Sequence, residues 1–230
     1  MKPLAIIPAR GGSVRIPRKN VMQLNGKAAL AYPISACISS GIFETTIVST
    51  DDKEIASVAK LNGAEVDIRG QGLSDGTATI HNVVEDLLNR YLLSGSVPEY
   101  FCIVYATAVL VEAKHLKESF ELLKASETDA VLAVKEFDLH PYKALELKNK
   151  VLSPAFPDKF VLKSQEYPKY VAPAGAFHWM RTASFLHNLR SIWSINRLPY
   201  VLNSHEAVDL DEPSDIELVK RLLFAKEHMF

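Results

Sequence analysis

Short apolar runs alternate with amphipathic stretches over the first 134 residues, and this alternation limits the chain to few folds. The apolar runs predict short buried strands, and the amphipathic stretches predict helices. The predicted strands cover residues 4–8, 45–49, 64–68, 100–105 and 129–134. The predicted helices cover residues 28–40, 51–61, 77–93 and 113–124. Such an order favours an α/β fold, in which helices cover both faces of a mostly parallel sheet.

The pattern changes after residue 137, where prolines at 141, 154, 157, 168 and 173 interrupt a stretch that contains many lysines and tyrosines. We predict short strands and irregular loops in residues 137–180, forming a small lobe of one domain that spans residues 1–230. A short helix at 182–189, a strand at 200–203 and a closing helix at 213–226 are predicted next. The chain has 230 residues, of which 48% are hydrophobic, and this suits one domain with a full core.

The composition indicates which kinds of partner the protein can have and in which compartment it is found. The formal net charge of −1 argues against a protein that binds nucleic acid with its whole surface. Cys37 and Cys102 have no metal-type spacing and are predicted to be reduced and buried. No apolar stretch reaches the ~18 residues that a membrane helix needs, and the first apolar run is too short for a secretory signal. We therefore expect a cytoplasmic protein that does not bind membranes.

The loop that follows the first predicted strand is the strongest functional signal. Residues 9–20 carry Gly11 and Gly12, which permit a tight turn and a close approach of backbone N–H groups to a ligand. The same loop holds four cations, Arg10, Arg15, Arg18 and Lys19. We interpret it as a cradle for a polyphosphate, with Arg10 as a bidentate donor, Lys19 as a point charge, and Ser13 and the glycine amides as further donors. The alternative is a solvated basic loop.

A second signal lies shortly before the closing helix. In an extended segment, Asp209 and Asp211 would project to the same side, because residues two apart share a face. Two carboxylates beside phosphate oxygens form the type of site that Mg²⁺ prefers. The alternative is that Asp211 only caps the helix that starts near Pro213.

The loop sequence, Ala-Arg-Gly-Gly-Ser-Val-Arg-Ile-Pro-Arg-Lys-Asn, resembles the signature of the acylneuraminate (CMP-sialic acid) cytidylyltransferases, A-R-G-G-S-K-x-I-P-x-K-N. Val14 departs from the lysine of that signature. The tetrad Tyr105-Ala106-Thr107-Ala108 is similar to that of the branch that activates pseudaminic acid, and the family also carries Asp-x-Asp before its last helix. The resemblance implies a Rossmann-like sheet of the nucleotide-diphospho-sugar transferase type and covers essentially the whole chain.

The resemblance also implies roles for individual residues. The implied nucleotide-binding residues are Ala9, Arg10, Gly11, Gly12, Ser13, Lys19, Asn20, Arg69, Ser74, Thr79 and Ala106. The implied substrate-binding residues are Tyr105, Thr107, Lys143, Lys163, Gln165 and Gly175. Arg10, Lys19, Asp209 and Asp211 are the predicted catalytic residues, and the two aspartates are the predicted metal ligands.

Structural alternatives accompany several of these assignments. Ser74-Asp75 fits a helix cap equally well, and capping is the role we expect for Asp51. Thr107 also fits an ordinary strand end, and Lys143 a solvated lysine. In residues 172–176 the chain keeps Gly175 but lacks the polar residues that the family places before it.

Together these features predict a Mg²⁺-dependent enzyme that uses CTP to activate a nine-carbon 2-keto sugar acid, such as pseudaminic, legionaminic or sialic acid. The products would be a CMP-sugar and pyrophosphate. The resemblance further implies a homodimer in which the lobe of each subunit reaches its partner. The alternatives are a metal-dependent glycosyltransferase and a catalytically degenerate nucleotide-binding homologue.

Overall fold

The computed structural model of the protein describes residues 1–13, 15–73 and 78–228. A seven-stranded sheet forms its centre, with the strand order β11-β7-β10-β6-β1-β4-β5. The sheet strands are β1 (Leu4–Pro8), β4 (Thr45–Thr50), β5 (Glu65–Ile68), β6 (Tyr100–Val104), β7 (Ala130–Glu136), β10 (Val171–Arg181) and β11 (Arg197–Val201). Two hairpins stand outside it, β2 (Gln23–Leu24) with β3 (Lys27–Ala28), and β8 (Leu145–Lys148) with β9 (Val151–Pro154).

Helices cover both faces of the sheet, which confirms the predicted α/β class. They are α1 (Ala31–Ser40), α2 (Lys53–Leu61), α3 (Ile80–Leu93), α4 (Ala113–Lys124), α5 (Pro157–Phe160), α6 (Thr182–His187) and α7 (Pro213–His228). Apolar residues of α1, α2 and α4 pack in one buried cluster, while those of α3 and α6 pack in another. A third cluster joins α7 to the β2 hairpin and to Val109 and Leu110.

Several element boundaries differ from the prediction for local reasons. Helix α1 begins at Ala31 instead of residue 28, because Lys27 and Ala28 pair with β2. Helix α3 begins at Ile80, where Thr79 and Asn82 form a capping box. The predicted start at Thr77 lies outside the described residues. Strand β11 starts three residues earlier than predicted, and α7 continues to His228.

Strand β10 is the strand of the central sheet that the sequence analysis did not place. It lies in the sheet between β6 and β7 and runs antiparallel to both. Residues 171–180 of the predicted lobe therefore belong to the central sheet, and only residues 137–170 lie outside it. The prolines at 168 and 173 concealed a strand whose second half, from Ala176 to Met180, is buried.

Within the described ranges, no helix is long and apolar enough to cross a membrane.

Candidate active site

Arg10, Ser13, Lys19 and Asn20 of the predicted phosphate loop line a cleft of about 220 Å³. Gly11, Gly12, Asp209 and Asp211 are not among its lining residues. It lies at the carboxyl ends of β1 and β6, where ligands bind in open α/β sheets. Its lining residues are Pro8, Arg10, Ser13, Arg15, Ile16, Lys19, Asn20, Ile80, Tyr105, Ala106 and Thr107. A larger cavity of about 1130 Å³ lies beyond the ends of β7 and β11, but none of the predicted site residues lines it. The smaller cleft is therefore the candidate active site, because predicted site residues line it.

The glycine loop, residues 9–20, is held by side-chain bonds within the loop and to the start of α2. Asn20 donates from Nδ2 to the carbonyl of Arg10 at 2.9 Å. Arg18 adopts a left-handed conformation (φ 56°), which is uncommon for a residue with a side chain. Its guanidinium holds Asp52 in a bidentate pair and also contacts Glu54. This pairing lowers the pKa of Asp52 to about 2, so Arg18 serves the loop structure.

Gly11 is required for the close contact between the loop and the start of α2. Its amide donates to Asp51 Oδ1 at 2.9 Å, and a Cβ at this position would stand 2.7 Å from Asp52 Oδ2. Asp52 caps α2 by accepting from Glu54 and Ile55. Capping by Asp51 was therefore the wrong expectation, because Asp51 binds the glycine loop and its neighbour forms the cap. A phosphate at the Gly11 amide would have to displace Asp51.

Arg10 is the loop cation that remains available for a ligand. Among the residues described, no carboxylate pairs with its exposed guanidinium, whereas Arg15, Arg18 and Lys19 all form ion pairs. Its charge lies close enough to affect Arg69, whose pKa is lowered mainly by burial. Arg69 donates to the carbonyl and hydroxyl of Ser49 and so joins the ends of β4 and β5.

Asp211 lies beside the cleft and pairs with two cations of the glycine loop that line it. Its carboxylate lies 3.1 Å from Lys19 Nζ and 3.0 Å from the Arg15 guanidinium. Partial burial opposes ionisation, but the hydrogen bond from Lys19 and the two positive charges hold the pKa of Asp211 below its ordinary value. Asp215, in the first turn of α7, accepts from the amides of Asp211 and Glu212 and so fixes the chain at the start of the helix. The Asp211 side chain therefore faces the loop.

Asp209 lies in a different environment two residues earlier. Its Oδ1 is inaccessible to solvent and has no hydrogen-bond partner in the described part of the chain. Burial raises the pKa of Asp209, the charge of Asp211 adds to the shift, and Thr107 and Lys19 oppose it. Its charge contributes in turn to the raised pKa of half-buried Tyr105, whose main cause is burial. The carboxylate thus points into protein beside the two strand-end residues Tyr105 and Thr107.

The donor set of residues 207–212, the carboxylate segment, fits a hard divalent cation. Two carboxylates stand close enough to influence each other, and Asp209 Oδ1 is a buried oxygen without a partner among residues 1–13, 15–73 and 78–228. Such an oxygen is costly to bury unless a ligand satisfies it. No cluster of three or more protein ligands is present among the described residues, so the remaining ligands would be phosphate and water oxygens.

The structure brings together only some of the predicted residues. Thr79 caps α3, and Ser74 lies outside the described residues, as does Val14. Lys143 is held in the lobe, where Nζ donates to the carbonyl of Phe160 at 2.8 Å. Lys163 and Gln165 are exposed at a short 3-10 turn of the same lobe. None of these three lobe residues lines the cleft.

The sequence placed Arg15 among the four loop cations but gave it no specific contact, and in the structure it lines the cleft and binds Asp211 and Glu212. The signal was a cation directly after the position where the family signature has lysine. The contacts of Arg18 with Asp52 were also missed, since nothing local links these two parts of the sequence.

Comparison with known proteins agrees with this geometry. The family model described as cytidylyltransferase matches residues 4–217. The chain therefore belongs to the cytidylyltransferase family, a family of nucleotidyltransferases, and the resemblance to the acylneuraminate enzymes is confirmed. It is 33% identical to a pseudaminic acid cytidylyltransferase of Campylobacter jejuni over 99% of this chain and 98% of the relative. It is 29% identical to the CMP-N,N'-diacetyllegionaminic acid synthase of Legionella pneumophila, over 97% of both chains.

Solved structures support the fold independently. A CMP:2-keto-3-deoxy-manno-octonic acid synthetase solved with CTP superposes with a TM-score of 0.75 at 13% identity, over 99% of this chain and 100% of the other. A 4-diphosphocytidyl-2C-methyl-D-erythritol synthase reaches a TM-score of 0.70 at 15% identity, over 96% and 99%. At these identities the similarity concerns the fold.

Proposed function

We propose that this enzyme transfers a cytidylyl group from CTP to a nine-carbon 2-keto sugar acid. The observation that carries the proposal is the placement of two groups at and beside the cleft. Arg10 lines the cleft and has no carboxylate partner among the described residues. Asp209, whose buried Oδ1 has no partner among them either, lies next to the cleft residues Thr107 and Lys19. Membership of the cytidylyltransferase family favours this reaction over the glycosyltransferase and over a catalytically degenerate homologue.

In the proposed reaction the anomeric hydroxyl of the sugar acid attacks the α-phosphorus of CTP. A P–O bond to the sugar forms, the bond to the β-phosphate oxygen breaks, pyrophosphate leaves, and one of the carboxylates takes the hydroxyl proton. Such a transfer needs mainly positioning and neutralisation of charge. Arg10 would hold the triphosphate with a charge-assisted pair of hydrogen bonds. Lys19 would share its charge between the phosphates and Asp211, its partner in the structure.

Asp209 and Asp211 would hold Mg²⁺ together with phosphate and water oxygens. The bound ion would neutralise the charge that develops on the phosphate oxygens. An Asp211 carboxylate that also served the ion would hold Lys19 and Arg15 less strongly, so both cations could direct part of their charge to the triphosphate, and Arg15 would keep its pair with Glu212. The ion pairs of the structure thus keep these cations beside the cleft until the ligand arrives.

Pseudaminic acid is the leading acceptor. The Campylobacter jejuni relatives named for it are 33% identical, compared with 29% for the legionaminic acid synthase and for a Streptococcus agalactiae N-acylneuraminate enzyme. Tyr105, Ala106 and Thr107 line the cleft, where they would contact the nucleotide and the sugar. Legionaminic acid and sialic acid are the next candidates.

We also propose a homodimer assembled through the lobe. The hairpin of β8 and β9 is exposed along its whole length. Its apolar side chains include Leu147 (67% exposed), Val151 (67%) and Leu152 (61%). An exposed apolar patch of this kind is typical of an interface. In such a dimer Lys143, Lys163 and Gln165, which lie outside their own cleft, would serve the partner's sugar site.

The cytoplasm is the proposed compartment. Cys37 and Cys102 are both buried free thiols, and this pairing state suits a reducing environment.

The test of function is a panel of nine-carbon sugar acids, each incubated with CTP and Mg²⁺ and followed by pyrophosphate release. We expect release with pseudaminic acid and formation of a CMP-sugar. A glycosyltransferase would release no pyrophosphate from CTP under these conditions. A degenerate homologue would bind CTP in a titration but turn over with no acid of the panel.

A further inference from the structure

Strand β10 contains a bulge that carries its backbone toward Asp209. Residues 171–173 pair with β7 in one register, and residues 178–180 pair with it in another. The four residues 174–177 therefore stand opposite the single residue Ala133. Bulges of this kind redirect the chain and are frequent beside active sites.

Gly175 lies within this bulge and has a left-handed backbone (φ 63°). A Cβ built at this position would stand 2.7 Å from Oδ2 of Asp209 and 3.2 Å from its Cγ. Real Cβ atoms essentially never approach other atoms below 3.0 Å. The carboxylate of Asp209 therefore occupies the space that any side chain at position 175 would need.

The two oxygens of the Asp209 carboxylate have different surroundings. The Gly175 backbone packs against Oδ2, while Oδ1 is buried without a hydrogen-bond partner among the described residues. On the other side of the bulge the carbonyl of Ala176 accepts from the Tyr105 amide at 2.9 Å, which fixes the bulge to the end of β6. The bulge thus determines where the carboxylate stands relative to Tyr105 and the cleft.

We propose that Gly175 is a positioning residue for Asp209, and that its missing side chain keeps the carboxylate aligned for the metal. This role differs from sugar binding, which the sequence implied for Gly175. The inference rests on the proposed metal site of Asp209 and Asp211.

The test compares Gly175→Ala with Gly41→Ala. Gly41 has nearly the same backbone (φ 65°) at the end of α1, and a Cβ there would meet nothing within 4 Å. Gly41→Ala should lower the melting temperature by roughly 2–4 °C, because alanine is disfavoured in this conformation. Gly175→Ala should lower it further, because its Cβ also clashes with Asp209. Only Gly175→Ala should weaken the binding of Mn²⁺ in the presence of CTP, by about tenfold or more, as measured by electron paramagnetic resonance without sugar acid.

A double-variant cycle with Asp209→Ala separates this inference from the metal site itself. If Gly175 acts through Asp209, then Gly175→Ala should cause no further loss of Mn²⁺ binding in the Asp209→Ala background. Its excess destabilisation over Gly41→Ala should disappear there as well. If the single variant Gly175→Ala does not fold, folding of the double variant with Asp209→Ala would support the contact between the two residues. If the double variant does not fold either, the positioning role is overturned.

The outcomes remain distinguishable. Normal Mn²⁺ binding by Asp209→Ala would overturn the metal site, whatever Gly175 does. Weak binding by Asp209→Ala with normal binding by Gly175→Ala would overturn only the positioning role.

Discussion

The glycine loop and the carboxylate segment meet at the ion pair of Lys19 with Asp211, but their charges are compensated differently. In the loop, Arg15, Arg18 and Lys19 are neutralised by carboxylates of the protein, and Arg10 alone has no such partner among the described residues. In the carboxylate segment, Asp211 is compensated by two cations, whereas Asp209 is buried and its Oδ1 has no partner in the part of the chain that the structure describes.

The comparison shows that density of charge alone does not identify the ligand contacts. Most loop cations hold the site together, as Arg18 does with Asp52. Each half of the site keeps one group whose interactions are incomplete, Arg10 on one side and Asp209 on the other. These two groups should show the largest catalytic effects and the smallest losses of stability.

Asp209→Asn should have the largest effect, a loss of turnover of more than about 100-fold, because it removes a proposed metal ligand. Burial raises the pKa of Asp209, so its ionised form destabilises the fold at neutral pH. The variant should therefore melt at or above the parent temperature. Turnover and calorimetry on the same sample check both parts, and an active variant that melts lower would contradict the assignment.

Arg10→Ala should come next. The loss of a charge-assisted phosphate contact costs about 1.5–3 kcal/mol, which corresponds to roughly 10- to 150-fold in kcat/KM for CTP. Arg18→Ala is the matched control, since its guanidinium is held by Asp52 and Glu54. The control should lower the melting temperature, whereas its KM for CTP should stay close to that of the parent. Normal turnover of CTP by Arg10→Ala would show that the cradle is assigned wrongly.

Asp211→Asn should lose most of its activity, about tenfold or more, while melting within a few degrees of the parent. Its ion pairs are partly exposed and contribute little to stability, of order 0–1 kcal/mol. Asp215 still fixes the chain at the start of α7 in this variant, so the helix should remain intact. A lower melting temperature with near-normal activity would restore the capping role that we considered for Asp211.

Asp52→Asn should lower the stability of the fold with little effect on turnover, and it should do so only at a pH where the parent's Asp52 is ionised. The pairing with Arg18 lowers the pKa of Asp52 to about 2, below its ordinary value of 3.8. The stabilisation is therefore complete above pH ~4 and is lost as the pH falls toward 2. Asparagine still caps helices well, so the variant isolates the charge. Melting curves from pH 2 to 7 should converge with those of the parent at the acidic end.

Val14→Lys, which restores the lysine of the family signature, should have the smallest effect. Arg15 already brings a cation to Asp211 beside the cleft, so we expect a change in CTP affinity of less than about threefold, comparable to a surface charge pair. A titration with CTP checks this. A clearly tighter complex would mean that Arg15 does not replace the missing lysine.

The sequence predicted the α/β class, and it directed attention to the glycine loop that lines the cleft, because both depend on local patterns. Strand β10 was missed because Pro173 interrupts its pattern, and its place between β6 and β7 depends on partners distant in sequence. The same applies to the site. Lys19 and Asp211 are 192 positions apart, and the contact of Gly175 with Asp209 arises from a bulge that no periodicity records. Sequence motifs therefore indicated the charged side chains of the candidate site, and the fold determined which of them form ion pairs with one another.

The most direct test of the central claim measures pyrophosphate release from CTP and pseudaminic acid against Mg²⁺ concentration, for the parent and for Asp209→Asn. We predict that the parent requires Mg²⁺ and that Asp209→Asn stays nearly inactive at every concentration while remaining folded. An Asp209→Asn protein that turns over at the parent rate without dependence on Mg²⁺ would contradict the account.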